Sequence, residues 1–107
     1  MDLKEIDELS HKIIGLAIEV HRNLGPGLLE SAYQQCLAYE LNSNGINFVR
    51  EHPIFVRYKG VNIDNKIILE LKAIQDILPI HEAQLLTYLK LTGLRLGLII
   101  NFNVKLP

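Results

Sequence analysis

The order of hydrophobic patterns along the chain predicts an α/β (α+β) fold, in which a mixed sheet is flanked by helices. Two segments with helical spacing come first, short β-like runs follow from residue 46, and a third helix precedes a final apolar strand. The predicted order is α-α-β-β-β-α-β, an antiparallel meander followed by a crossover helix and a returning strand. At 107 residues the chain has the length of one domain, with 1–24 as an N-terminal helix and 25–107 as the core.

Three helices are predicted, over residues 3–20, 28–41 and 80–91. In the first, apolar residues recur at steps of three and four, which is the spacing of one buried helix face. The Gly and Pro residues of 23–27 predict the end of the first helix. Gly45 and Gly93 offer the left-handed conformation that ends the second and third helices, and Pro79 suits a first helical position.

Five short runs of β-branched and other apolar residues are candidate strands, of which the predicted order includes four. They are residues 46–49, 54–58, 61–63, 67–73 and 96–102. Lys59-Gly60 and Asp64-Asn65 supply turns between them. The strand at 67–73 is the strongest of the chain, and a run this apolar is typical of a strand inside a sheet.

Composition limits the class of protein and its surroundings. The formal net charge of −1 argues against a protein that coats nucleic acid by bulk electrostatics, although a local basic site remains compatible with it. One cysteine excludes an internal disulfide, and the longest apolar stretches fall far short of the ~20 residues that span a bilayer. We therefore expect a cytoplasmic protein without membrane contact. The mean hydropathy of +0.17 indicates apolar surface that a partner or a second copy covers.

Two charged side chains interrupt the apolar strand at 67–73. Because side chains alternate between the two faces of a strand, Ile68, Glu70 and Lys72 share one face. A carboxylate and an ammonium inside a sheet are costly unless each has a charge partner, a metal or an open cleft. One interpretation is a hydrolytic site, in which Glu70 binds a divalent cation and Lys72 holds a water or a phosphate. The other is a solvated outer face with ordinary surface charges.

Two pairs of residues on the predicted helices suit the same chemistry. Glu30 and Tyr33 lie three residues apart at the start of the second helix, where a carboxylate also suits the helix dipole. Gln84 and Tyr88 are neighbours on the third helix, and an amide beside a phenol can orient a water or a phosphodiester. Each pair also has a plain structural explanation, as a helix-terminal charge or a polar helix face.

Asp64 comes just before the strand that bears Glu70. Turn chemistry alone is a sufficient reason for a carboxylate there. The same residue offers a second hard oxygen ligand beside Glu70, which is the ligand type that Mg²⁺ prefers.

Gly27-x-x-Glu30-x-x-Tyr33 resembles the signature of the GxxExxY proteins, a branch of the PD-(D/E)XK nuclease superfamily. The resemblance extends over residues 18–104, nearly the whole chain. The segments that carry it are 21–30, 58–60, 70–73, 80–86 and 98–102. It implies a restriction-endonuclease-like αβββαβ core.

The resemblance also implies roles for the candidate residues. Glu70-x-Lys72 would be the (D/E)XK element, Glu30 the helical acid, and Gln84-x-x-x-Tyr88 similar to the glutamine–tyrosine motif of RecB-like nucleases. The catalytic residues implied are Lys72, Glu70, Gln84 and Tyr88. The metal implied is Mg²⁺ (or Mn²⁺), held by Glu70, Asp64 and Glu30.

The chain departs from these relatives in its second core strand. Family members carry a longer strand between the Tyr-Lys-Gly turn and the Glu-x-Lys strand, and that strand bears the metal-binding aspartate. Only residues 61–66 fill this interval here. Asp64 is the one acid in the shortened segment, so the role of that aspartate is assigned to it.

These observations support three functional hypotheses. The first is a nuclease that hydrolyses phosphodiester bonds of nucleic acid, DNA rather than RNA, with Mg²⁺, or a degenerate and inactive descendant of such a nuclease. The second is a non-catalytic interaction module, in which an unpaired sheet edge recruits a second copy, giving a homodimer, or another protein. The third is a nucleic-acid binder that kept the cleft and lost hydrolysis.

Overall fold

A computed structural model describes residues 3–50 and 60–104, which form helices and strands in the order α-α-β-β-β-α-β. The helices are α1 (Leu3–Leu24), α2 (Glu30–Ser43) and α3 (Pro79–Thr92), and the strands are β1 (Phe48–Arg50), β2 (Val61–Ile63), β3 (Ile67–Lys72) and β4 (Leu96–Asn101). The predicted fold class and element order are confirmed. The strand predicted at 54–58 lies outside the described residues.

The four strands form one mixed sheet in the order β1-β2-β3-β4. β1 pairs antiparallel with β2, and β2 pairs antiparallel with β3 through a turn in which Asp64 and Asn65 both have positive φ. After the crossover through α3, β4 runs parallel to β3 and aligns Lys72 with Asn101. Within the described residues, no helix is both long enough and apolar enough for a membrane crossing.

β1 begins later than the strand predicted at 46–49. The reason lies in how α2 ends. Gly45 adopts φ +67°, and the Ile46 N–H donates a hydrogen bond to the Leu41 carbonyl (3.0 Å). Ile46 therefore completes the helix terminus, and the sheet starts only at Phe48.

Alternation along β3 divides the interior into two layers. Ile67, Leu69 and Leu71 face the larger core, to which α1 and α2 contribute. Ile68 faces the opposite side and packs against Leu85 of α3. The residues of β3 are thus covered on both faces, as the apolar run predicts.

α3 approaches β4 closely because one residue of the strand has no side chain. A Cβ placed on Gly97 would lie 2.8 Å from three atoms of the Leu85 side chain, so a larger residue would displace Leu85. Gly15 of α1 provides a contrast, because a Cβ placed there meets nothing within 4 Å.

We expect Gly97→Ala to lower the free energy of unfolding by about 1–3 kcal/mol, because it overpacks the contact with Leu85. The matched control Gly15→Ala should raise it by about 1 kcal/mol, because alanine favours the helix and meets no neighbour. Urea denaturation of both variants measures the difference. A Gly97→Ala protein as stable as the wild type would contradict the close packing of α3 on β4.

Candidate functional site

Glu70 and Lys72 lie side by side on the face of β3 that α3 covers. Their side chains form an ion pair, with 3.1 Å between Lys72 Nζ and Glu70 Oε1. Glu70 is 6% exposed and the Lys72 side chain 19% exposed, so the pair is largely shielded from water. The common face that alternation predicts is present, and it is not a solvated outer face.

Holding this pair in an apolar strand carries a cost of desolvation. Mutual attraction offsets that cost only where the geometry is close and further hydrogen bonds are made. Apolar side chains of similar volume are often as stabilising as a buried pair, or more so. The buried Glu70–Lys72 pair is therefore weak evidence that these charges serve to stabilise the fold. It favours a part for them in a functional site.

The end of β3 beside Lys72 is fixed by β4. The Phe102 N–H donates a hydrogen bond to the Lys72 carbonyl (2.8 Å). Asn101 aligns with Lys72, accepts the Ile74 N–H at Oδ1 (3.1 Å) and donates from Nδ2 to the Ile74 carbonyl (2.8 Å). These bonds hold the backbone as it leaves β3. Sequence reasoning assigns no role to Asn101 and Phe102, although both lie in the segment 98–102 that carries the family resemblance.

Tyr33, the last residue of the Gly-x-x-Glu-x-x-Tyr signature, organises this end of the sheet. Its ring is fully buried and stacks on Phe102, with 4.4 Å between ring centroids and 9° between planes. Its hydroxyl donates to the Gly25 carbonyl (2.6 Å) and accepts the Leu28 N–H (3.1 Å). Tyr33 therefore ties the loop between α1 and α2 to the residue that follows β4.

His21 and Glu30 reach the same end of the molecule. The buried His21 ring donates from Nε2 to the Phe102 carbonyl (2.9 Å), an interaction that sequence reasoning does not predict. Glu30 is the first residue of α2, one turn before Tyr33, so its carboxylate lies at the positive end of the helix dipole. Within residues 3–50 and 60–104, Glu30 forms no ion pair with Lys72.

Asp64 lies at the other end of β3. It occupies the β2–β3 turn, where its Oδ2 accepts a hydrogen bond from Lys66 Nζ (3.0 Å). This hydrogen bond and the negative charge of Asp64 raise the pKa of Lys66. Ile67 begins β3 after the turn, and Glu70 lies three residues further, about 10 Å along the strand. The structure therefore does not bring Asp64 beside Glu70, contrary to the expectation from sequence.

The two predicted residues of α3 have different surroundings. Tyr88 is partly buried and packs against Ile68 and Leu85, on the side of the sheet that also bears Glu70. Gln84 precedes it by one turn and is exposed. Of this pair, the structure brings Tyr88 onto the Glu70 side of the sheet and leaves Gln84 at the surface.

A profile of the PD-(D/E)XK nuclease superfamily matches residues 7–107. The chain belongs to the PD-(D/E)XK nuclease superfamily. No curated protein and no solved structure matches it. Membership supports a nuclease-like function, and the mixed sheet with helices on both faces is consistent with a restriction-endonuclease-like fold. Glu70-Leu71-Lys72 has the pattern of the (D/E)XK element in the superfamily's name.

PD-(D/E)XK nucleases generally use divalent metal ions. In the part of the chain that the structure describes, no group of three or more His, Cys, Asp or Glu side chains converges to hold one. Glu70, Asp64 and Glu30 therefore do not form a preformed set of ligands. Mg²⁺ is commonly bound by one or two carboxylates, with water and substrate phosphates as the remaining ligands. Glu70 is compatible with a site of that kind.

We expect Lys72→Met to lower the free energy of unfolding by about 3 kcal/mol, because it removes the ammonium that faces a buried carboxylate. The double variant Glu70→Leu/Lys72→Met should recover much of this loss, since both charges are then absent. Lys66→Met is the matched control from an exposed pair and should change stability by less than about 1 kcal/mol. Urea denaturation at neutral pH compares the three. Equal losses for Lys72→Met and Lys66→Met would contradict a buried pair.

Proposed function

We propose that this chain is a nuclease of the GxxExxY type, which hydrolyses phosphodiester bonds of nucleic acid at the Glu70–Lys72 face of the sheet. The observation that carries the proposal is the buried ion pair of these two residues in a chain of the PD-(D/E)XK superfamily. A carboxylate and an ammonium on one strand face are close enough to act on the same phosphate group. Their position at the end of β3 places the chemistry beside Asn101, which aligns with Lys72.

Each residue has a distinct role in this proposal. Lys72 supplies positive charge, and its N–H groups hold a non-bridging phosphate oxygen or orient the attacking water. Glu70 holds the Lys72 side chain in place until a phosphate competes for it. From α3, Tyr88 and Gln84 position the phosphate or the water by hydrogen bonds.

Hydrolysis joins the oxygen of a water molecule to phosphorus and breaks one ester P–O bond, whose electron pair stays on the departing oxygen. That oxygen takes up a proton, and the water loses one. When bound, Mg²⁺ or Mn²⁺ supplies Lewis-acid stabilisation of the negative charge on the phosphate oxygens. Glu70 is the ligand we expect from β3, with Glu30 of α2 as a further acid. Asp64 has no part in the proposal, because its turn lies at the far end of β3.

A second candidate function is binding of nucleic acid without hydrolysis. The observation that favours it is the lack of any group of three potential metal ligands among the described residues. With fewer carboxylates, a Mg²⁺ site is weak, because this ion gives up its waters reluctantly. Lys72 would then contribute only its positive charge beside a phosphate.

Incubation of the full chain with DNA and RNA oligonucleotides, in Mg²⁺, in Mn²⁺ or in EDTA, tests the proposed function. We expect hydrolysis that requires the divalent cation and is faster on DNA. Glu70→Gln should slow it about 100-fold or more, because the cation that Glu70 helps to hold is worth several kcal/mol of transition-state stabilisation. The matched control Glu8→Gln, on the exposed side of α1, should hydrolyse at the wild-type rate. Circular dichroism verifies that both variants are folded.

Hydrolysis by Glu70→Gln at the wild-type rate would contradict the hydrolytic proposal. Binding without hydrolysis, retained in EDTA and lost in a folded Lys72→Met protein, would support the second candidate instead. If the folded wild-type protein showed no hydrolysis and no binding that depends on Lys72, both candidate functions would be contradicted.

A further inference from the structure

Within the described residues, β4 is an edge strand that lacks the charged side chains, proline and bulges that protect such edges in soluble proteins. It ends the strand order and, within the described residues, pairs only with β3. Natural edge strands are guarded by charged side chains, by proline, by bulges or by short length. Leu96–Asn101 has six residues in unbroken register with β3, with no charged residue and no proline. Such an edge is a template for pairing with another strand.

The direction of the free backbone groups on β4 follows from one hydrogen bond. The Phe102 N–H donates to the Lys72 carbonyl of β3 (2.8 Å), so the N–H of Phe102 points toward β3. Successive residues of a strand direct these groups to opposite sides, so every second residue before Phe102 also points toward β3. The residues that point to the open edge are Gly97, Ile99 and Asn101.

α3 brings apolar surface to the same edge. Leu85 lies against Gly97 of β4 and Ile68 of β3, so the helix runs above the line between these two strands. Apolar residues occur around the whole circumference of α3, and a helix of this kind is typically covered on more than one side. Those left exposed include Ile80 (57%), Leu86 (58%) and Leu91 (42%).

We propose that a second copy of this chain pairs with the free edge of β4 in antiparallel orientation, with a two-fold axis at Ile99. In this register Ile99 lies opposite Ile99 of the other copy, and Gly97 lies opposite Asn101. The two-fold axis repeats the Gly97–Asn101 pair, so three pairs face each other. Each pair exchanges two backbone hydrogen bonds, which gives about six between the copies. An axis at Leu98 would give only about four backbone hydrogen bonds between the copies, because fewer outward-pointing residues would then face each other.

The chemistry of the edge favours a second copy over an unrelated strand. The outward-pointing residues are symmetric about Ile99, so the edge is complementary to itself, as a two-fold interface requires. β4 carries no charge, so no like charges meet at the axis. The two α3 helices would run antiparallel about 10 Å apart, because each lies over its own β3–β4 pair and neighbouring strands are about 4.8 Å apart. That is the distance at which helices pack, and it would cover the exposed flank of α3 that bears Leu86.

The pairing would join two four-stranded sheets and place both Glu70–Lys72 pairs on one face of the combined sheet. From the strand spacing and the rise per residue, the two Lys72 Cα atoms would lie about 20 Å apart. The dimer does not depend on hydrolysis, because neither charged residue takes part in the pairing.

Size-exclusion chromatography of the full chain with light scattering tests the oligomeric state. We expect a mass about twice the 12.2 kDa of one chain. Leu86→Lys, an exposed position on α3, should shift the protein to the monomer. Ile14→Lys is the matched control, because Ile14 is an exposed apolar residue on α1, on the other side of the sheet. A wild-type monomer at the highest soluble concentration, or equal effects of the two variants, would overturn the proposal.

Disulfide trapping tests the register, in a Cys36→Ser background because Cys36 is the chain's one cysteine. Ile99→Cys places two thiols opposite each other, with Cα atoms about 5.5 Å apart, within the range that a disulfide spans. Oxidation should therefore link the two copies. Leu98→Cys is the in-strand control and should stay unlinked, because Leu98 lies opposite Ile100 of the other copy. Failure of Ile99→Cys to link a dimeric protein, or linking by Leu98→Cys alone, would overturn the proposed axis.

Discussion

The ion pair between Glu70 and Lys72 is the constraint on which the site depends. Both side chains lie on the face of β3 under α3, and Glu70 is almost wholly removed from water. Two opposite charges in such surroundings stabilise each other, because removing one leaves the desolvation cost of the other less well offset. An apolar pair would meet the packing needs of this strand at least as well. Under the proposed function these charges act on a third charged group, and a phosphate is the group that nuclease ancestry indicates.

The rest of the described structure holds the end of β3 in place around that pair. β4 contributes the Phe102 N–H to the Lys72 carbonyl, and Tyr33 stacks on the Phe102 ring. His21 donates to the Phe102 carbonyl, so both α1 and α2 are anchored to the same residue. This arrangement gives the Gly-x-x-Glu-x-x-Tyr signature a physical meaning: its tyrosine fixes the loop before α2, and its glutamate is the first residue of that helix.

Local periodicity predicts much of the fold and the central pair, because both depend on neighbours within a few residues. The alternation along β3 gives the common face of Glu70 and Lys72 from spacing alone. Side-chain positions that depend on how distant strands align are not predictable in this way. Asp64 is close to Glu70 in sequence, yet the hairpin turn leaves it at the opposite end of the strand. Asn101 is distant in sequence, and only the parallel register of β3 and β4 aligns it with Lys72.

NMR spectroscopy of the Lys72 ammonium nitrogen and the Glu70 carboxyl carbon tests the central claim most directly, during titration with a short oligonucleotide in the presence of Mg²⁺. We predict that both signals shift together and with the same dependence on oligonucleotide concentration, because a phosphate competes with Glu70 for the Lys72 ammonium. Binding that moves the signals of other residues while these two stay unchanged would contradict a phosphate-directed role for the pair.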